Sequence, residues 1–259
     1  MKHGQLEGFL QSHLFPMNTG LSFAYIPEYC HAVKANSRDV YRAMYARLSQ
    51  IWASHQCASQ AITILAHDQD ALEAWFTMGF GMTGVDALRD FSPVQGKTAE
   101  INIRRAGVDD LEILLAQDLA IDHYLAAAPI YRPLDEESPE LHRQWLKNPL
   151  NALWLAEHEG ETMAGMGLEP FSTEAATIIR AEKTISITTA FTREERRGQG
   201  IAGALLDHAL TWAKSAGYQR CAVDFESANI PGSGFWLGQG FDPVCYCLRR
   251  RVPRELLAI

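Results

Sequence analysis

The stretch Arg196-Arg197-Gly198-Gln199-Gly200-Ile201-Ala202-Gly203 decides how the rest of this sequence is read. A β-branched run, Thr184-Ile185-Ser186-Ile187-Thr188-Thr189-Ala190-Phe191, precedes it and reads as a strand. A periodic segment from Gly200 to Ala216 follows and reads as a helix. Glycines let the backbone turn so that successive N–H groups face one concavity. The helix start adds partial positive charge, and Arg193, Arg196 and Arg197 add full charge. Such a loop is a cradle for a pyrophosphate. The competing reading is a plain glycine-rich turn with solvated arginines.

Working outward, Glu100-Ile101-Asn102-Ile103-Arg104 alternates as a strand, and a helix is expected from Asp109 to about Ala127. Tyr131 to Ser138 reads as a loop and Pro139 to Lys147 as a short helix with Ser138 as its N-cap. Ala152–Ala156 and Thr162–Leu168 form a hairpin across His158-Glu159-Gly160-Glu161. Beyond the glycine loop come a strand at Cys221–Phe225, a short helix at Gly232–Leu237 and a strand at Val244–Arg250. This order is an α+β plan around one mixed sheet flanked by helices. Asp90 to Thr98, polar and broken by Pro93 and Gly96, reads as a linker in front of it.

Composition narrows the function. With 259 residues and 47% hydrophobic content the chain can bury a sizeable core without a metal or disulfide staple. A net charge of −8 argues against nucleic acid as a partner but permits a small anion on a local cationic patch. A membrane span is not expected. Mean hydropathy is only −0.13. The uncharged stretch Leu48–Ala66 carries too many Ser, Gln and His side chains to sit in hydrocarbon. The start shows no apolar run of a secretory signal. Five cysteines, Cys30, Cys57, Cys221, Cys245 and Cys247, without a CxxC, suit free thiols in a reducing cytoplasm. The nine histidines show no ligand spacing, so no metal is expected.

The first region repeats part of the second. Ile51-Trp52-Ala53 aligns with Thr211-Trp212-Ala213 at an offset of 160. Asp68, Trp75, Gly79 and Phe80 align with Asn229, Trp236, Gly240 and Phe241 at 161. The first copy holds only a strand-helix-strand-helix-strand half. Val40 stands where the loop glycine would be, and no glycine lies between Ala32 and His55, so this copy should bind no pyrophosphate.

Among phosphate-binding loops, a P-loop would need GxxxxGK followed by Ser or Thr, which is absent. Gly198 to Gly203 fits a dinucleotide GxGxxG, but six residues separate the strand from the first glycine, and too little chain follows for that fold. The segment Thr184 to Phe241 resembles the GNAT (GCN5-related) N-acetyltransferases. Their phosphate loop, Gln/Arg-x-x-Gly-x-Gly/Ala, is matched by Arg197 to Ala202, and their following Asn, aromatic and Gly-Phe by Asn229, Trp236, Gly240 and Phe241. The resemblance implies a complete GNAT-like domain over 98–259, preceded over 1–95 by a smaller degenerate GNAT-like half-domain. It further implies transfer of an acetyl group from acetyl-CoA to a primary amine of a small molecule or peptide. The alternative is a non-catalytic acyl-CoA-binding or sensing protein. The oligomeric state is open, a homodimer included.

By the same resemblance, Ala190, Phe191 and Thr192 hold the pantetheine arm through their backbone. Arg197, Gly198, Gln199, Gly200, Ile201 and Ala202 hold the pyrophosphate, and Asn229 and Trp236 contact the cofactor. The family commonly has Tyr where Trp236 stands, and that phenol can protonate the leaving sulfur. An indole N–H cannot do so near neutral pH. Water, Tyr246 or another hydroxyl is then the proton source. Glu182, Asp224 and Glu226 are candidates for the base, none preferred. Asp122-His123-Tyr124 and Tyr131 to Glu137, acidic and aromatic, would suit a cationic acceptor.

Overall fold

The computed structural model describes residues 5–17, 20–34, 38–96, 98–134, 138–173 and 175–257. The chain runs β1 (Gly8–Leu10), β2 (His13–Pro16), β3 (Ser22–Ile26), β4 (His31–Val33), α1 (Arg38–Ser54), β5 (Cys57–Leu65), α2 (Gln69–Thr77) and β6 (Gly81–Arg89). It continues through β7 (Asn102–Arg105), α3 (Leu111–Ala126), α4 (Pro139–Lys147), β8 (Ala152–His158), β9 (Glu161–Glu169) and β10 (Thr184–Thr192). Last come α5 (Ile201–Ser215), β11 (Arg220–Glu226), α6 (Ile230–Gly238) and β12 (Asp242–Arg251). These sort into two compact units. One comprises Met1–Asp86, Ala176–Ile178 and Pro243–Ile259; the other comprises Ala87–Ala175 and Ile179–Asp242.

The second unit is built on the strand order β11-β10-β9-β8-β7, with β10 and β11 parallel and the other neighbours antiparallel. Side chains alternate across a strand. Along β8, Ala152, Trp154 and Ala156 therefore enter one core, shared with Leu205, Leu206 and Ala209 of α5. Leu153 and Leu155 enter another, under Leu114 of α3 and Trp145 of α4. Burial on both faces explains why the sequence here is a nearly continuous apolar run. At the start of α3 the sequence expectation needs adjustment. Val108–Asp110 form a 3-10 turn. The Asp110 carboxylate accepts two bonds from Arg104, at 2.7 and 2.9 Å, and one from the Gly107 N–H at 2.8 Å. The helix proper therefore opens at Leu111. Ser138 stands at the N-cap of α4, but its side chain makes no capping bond.

The first unit has the order β2-β3-β5-β12, with β3 and β5 parallel. Helices α1 and α2 bring Tyr41, Trp52 and Trp75 into a core with Phe80. The repeat read in the sequence is reproduced here pair by pair. Phe23↔Ser59, Ala24↔Gln60, Tyr25↔Ala61 and Ile26↔Ile62 join β3 to β5. Thr184↔Arg220, Ile185↔Cys221, Ser186↔Ala222 and Ile187↔Val223 join β10 to β11, each residue 161 further on. Asp68 caps α2 by accepting the Ala71 N–H at 3.0 Å, and Asn229 caps α6 by accepting that of Gly232 at 3.2 Å. Trp75 meets Phe80 edge to face at 4.8 Å, and Trp236 meets Phe241 likewise at 5.4 Å. Gly79 and Gly240 end the two helices at φ 84° and 79°, where other residues would be strained.

The packing units and the sequence copies differ in their last strands. β12 follows α6 in the chain yet pairs with β5 from Cys245↔Leu65 to Arg251↔Ser59, so it belongs to the first unit. Ala87, near the end of β6, lies in the core of the second. All five cysteines are free thiols, four of them buried. Complete burial pushes the Cys221 thiol up to about 12, so it stays protonated.

Removing a side-chain cap leaves first-turn N–H groups unpaired. Asp68→Ala is expected to destabilise the protein by about 1 kcal/mol. The check is urea unfolding followed by circular dichroism: the midpoint should fall with the slope unchanged.

Candidate active site

The site in the second unit starts from a pairing that stops. β10 and β11 are hydrogen-bonded only as far as Ile187↔Val223, although the strands run on to Thr192 and Glu226. A bulge at Thr188 shifts the register against β9, after which Thr189–Thr192 pair with Gly167–Ala164. Ala190, Phe191 and Thr192 thus keep β9 on one side and, among the described residues, have no strand on the β11 side.

The loop beyond β10 carries the expected backbone. Gly198 has φ 74°, and a Cβ there would meet nothing within 4 Å. Gly200, the N-cap of α5, has φ 84° and no side chain with which to cap the helix. The first-turn N–H groups of α5, from Ile201 and Ala202 onward, are therefore left for another acceptor, unlike those of α2 and α6. Gln199 is exposed and bonds back to the Glu195 carbonyl at 3.2 Å. The three arginines are not equivalent. Arg193 already faces Glu161 at 3.3 Å. Arg197 donates from Nε to the Thr192 carbonyl at 3.3 Å and lays its guanidinium over the Tyr124 ring, 4.8 Å from the centroid.

Asn229 and Trp236 play different parts. The Asn229 side chain caps α6 and also accepts the Tyr124 hydroxyl at 3.1 Å. Trp236 is 7% exposed and belongs to the core with Phe235 and Phe241, as Trp75 does in the first unit. It packs against both rings there. Glu182 is exposed at the start of β10, the end opposite the divergence, and drops out as a base. Tyr246 lies in the first unit. Asp224 and Glu226 stand at the diverging end of β11. Asp122 is buried in an ion pair with Arg132 at 2.7 Å, so it is not a free docking charge. His123 and Tyr131 are exposed, and Asp135 to Glu137 lie outside the described residues.

Sequence reasoning missed two carboxylates on the α3/α4 side. Asp118 accepts the Thr189 hydroxyl at 2.9 Å and faces His142 Nε2 at 3.0 Å. His142 Nδ1 lies 2.8 Å from the Ser138 carbonyl, which can only accept, so Nδ1 carries a hydrogen and one further proton is shared with Asp118. Burial holds the Asp118 carboxyl above its ordinary range, against the pull of Thr189 and His142. Glu169, at the end of β9, accepts Trp145 Nε1 at 3.2 Å. Burial raises it too; bonds from Trp145 and Thr188 work the other way, and Asp224 nearby adds to the rise. Gly167 makes room for this arrangement: a Cβ there would lie 2.5 Å from Thr189 Cγ2 and 3.2 Å from the Trp145 ring. No sequence motif links these residues, since four separate elements bring them together. A carboxyl raised by burial beside a diverging strand pair takes up a proton more readily than an ordinary one. Among the described residues no His, Cys, Asp or Glu group could hold a metal ion.

The model of the Acetyltransferase (GNAT) family matches residues 119–241. An uncharacterised N-acetyltransferase of Escherichia coli, YjgM, is 24% identical over 132 residues, covering 51% of this chain and 75% of its own. A GNAT-family acetyltransferase from Colwellia psychrerythraea superposes with a TM-score of 0.59 at 15% identity, covering 96% of this chain and 82% of that one. A tandem GNAT protein from the clavulanic acid biosynthesis pathway superposes with a TM-score of 0.52 at 15% identity, covering 98% and 82%. At these identities the structural likeness is one of fold.

The raised Asp118 carboxyl has a consequence for stability. An acid whose folded pKa exceeds its unfolded value costs stability above the folded value, and that cost fades as pH falls toward about 4. Asp118→Asn should therefore raise Tm at pH 8 and lose the gain near pH 4. A Tm lowered at both pH values would mean that pairing with His142 outweighs desolvation.

Proposed function

We propose that the chain is a GNAT acetyltransferase, as the match of residues 119–241 to that family's model supports, and that its second unit moves an acetyl group from acetyl-CoA to a primary amine. One observation carries this reading: the β10–β11 pairing ends at Ile187↔Val223, directly ahead of a helix capped by a bare glycine. Open backbone at Ala190–Thr192 suits the amide-bearing pantetheine arm. The uncapped N–H groups of α5, with Arg196 and Arg197 beside them, suit a pyrophosphate. The first unit has no such glycine ahead of its helix α1, since none lies between Ala32 and His55.

When bound, acetyl-CoA supplies an activated carbonyl and a thiolate leaving group. The chain's own residues must then neutralise an ammonium and hold the acceptor. Glu169, half-buried and with its carboxyl raised by that burial, is assigned the proton from the amine, directly or through water. Asp118 acts behind it by fixing Thr189 at the β10 bulge. The acceptor enters over α3 and α4 and is a small-molecule or peptide amine. Among the described residues no helix is long and apolar enough to cross a membrane, and with reduced thiols this supports a cytoplasmic setting.

The decisive experiment is a thermal-shift comparison of acetyl-CoA, CoA, NAD and NADP, followed by an amine panel read as free thiol. Binding of CoA with no thiol released on any amine would favour the sensing alternative. A response to NAD alone would overturn the reading. Gly200→Val, forced into a left-handed backbone it tolerates poorly, should abolish CoA binding in a folded protein, while Val40→Gly leaves affinity alone. Arg197→Ala should weaken CoA binding roughly tenfold or more, with affinity falling as salt rises. An unchanged dissociation constant would return Arg197 to a solvated surface role.

A further inference from the structure

We propose that Ala99 is a positioning residue for the anion-binding start of α5, held in place by the segment Asp90–Thr98 that the sequence reads as a linker; the proposal rests on the acetyl-CoA reading above. The Ala99 N–H donates to the Gly200 carbonyl at 3.2 Å, and the same carbonyl accepts the Ala204 N–H at 3.0 Å as the first bond of α5. A peptide unit is planar and trans, so its N–H points away from its C=O. Whatever holds the Gly200 carbonyl therefore aims the Ile201 N–H, the first of the uncapped donors of that helix. Gly200 sits at φ 84° and has no side chain of its own to fix that setting.

Ala99 can do this because the chain ahead of it is fastened down. Arg89 is 5% exposed, and its guanidinium donates to the carbonyls of Asp90 at 2.9 Å, Gln239 at 2.5 Å and Ser92. A buried cation is costly unless its donors are met, so these bonds hold the segment where it starts. The same guanidinium lies over the Phe241 ring, 5.6 Å from the centroid. Gln239, just past α6, then makes a reciprocal pair with Gln95. Its Oε1 accepts the Gln95 N–H at 2.8 Å, and its Nε2 donates to the Gln95 carbonyl at 3.0 Å. Phe91, Val94 and Ala99 pack against the core of the second unit. The segment is thus laid along that unit, from the end of α6 to the start of α5. Most of these bonds use backbone groups, which leave no mark on residue type.

Two variants test this. Gln239→Leu keeps most of the side-chain volume and removes both bonds to Gln95, and Ala99→Pro removes the N–H itself. In calorimetry each should weaken CoA binding about three- to tenfold, the worth of one or two neutral hydrogen bonds. In kinetics on the best amine of the panel, the acetyl-CoA KM should rise by a like factor with kcat unchanged. The kcat/KM for S-acetylpantetheine, which has no pyrophosphate, should stay at the wild-type value. Amide hydrogen exchange at Ala99, slowed in wild type, should speed up in Gln239→Leu with no ligand present. Should Ala99→Pro melt early, Gln239→Leu carries the test alone. Equal losses on acetyl-CoA and S-acetylpantetheine would overturn the proposal, because they make the segment a general support. Wild-type CoA affinity in a Gln239→Leu protein whose Ala99 amide is freed would overturn it too. An Ala99 amide that exchanges at the free-peptide rate in wild type would sink this proposal alone. Wild type that binds no CoA would instead sink the acetyl-CoA reading, and this proposal with it.

Discussion

A backbone hydrogen bond not made is the constraint on which the second unit depends. Two parallel strands that could pair to their ends separate after Ile187 and Val223. Unpaired backbone groups must find partners elsewhere, since burying them bare is costly. The bulge at Thr188 turns β10 away from β11, and Thr189, anchored to Asp118, keeps it turned. The loop glycines, the uncapped α5 and the Tyr124–Asn229 bond all stand at the mouth that this separation opens.

The tandem copies show which parts of the half-domain are scaffold and which are site. The four-pair parallel register, the side-chain cap and the Trp–Phe edge contact recur at a fixed spacing of 161 residues. None of these depends on a ligand. They orient one helix on a strand pair by burying two aromatics, each worth a few kcal/mol of transfer energy. What the copies do not share is a left-handed glycine at the helix start, which a phosphate cradle would need.

Much of this is legible in the sequence because it is local. Alternation and β-branching mark the strands from Glu100 onward, and Gly198 and Gly200 mark the loop, since left-handed backbone falls mainly to glycine. The repeat is legible because Trp, Gly and Phe are rare enough to show at a fixed distance. The carboxylates are not. Asp118, His142, Thr189 and Glu169 come from α3, α4, β10 and β9, and their meeting depends on how those elements cross. The burial of Trp236 is equally non-local, since it follows from the turn that brings Phe241 against it. Ser138 has the residue type of a cap, yet its carbonyl is used instead, to hold His142.

The pairing of β12 with β5 carries a cost in time. β5 is apolar along Ala61-Ile62-Thr63-Ile64-Leu65, and its partner residues Cys245 to Arg251 are synthesised some 180 residues later. At typical elongation rates the ribosome needs roughly 10–40 s to reach them. Throughout that interval one edge of β5 presents open N–H and C=O groups on a sticky strand, the situation that invites wrong partners. A nascent chain of this protein is thus exposed to aggregation for longer than its size alone would require, until β12 arrives to cover that edge.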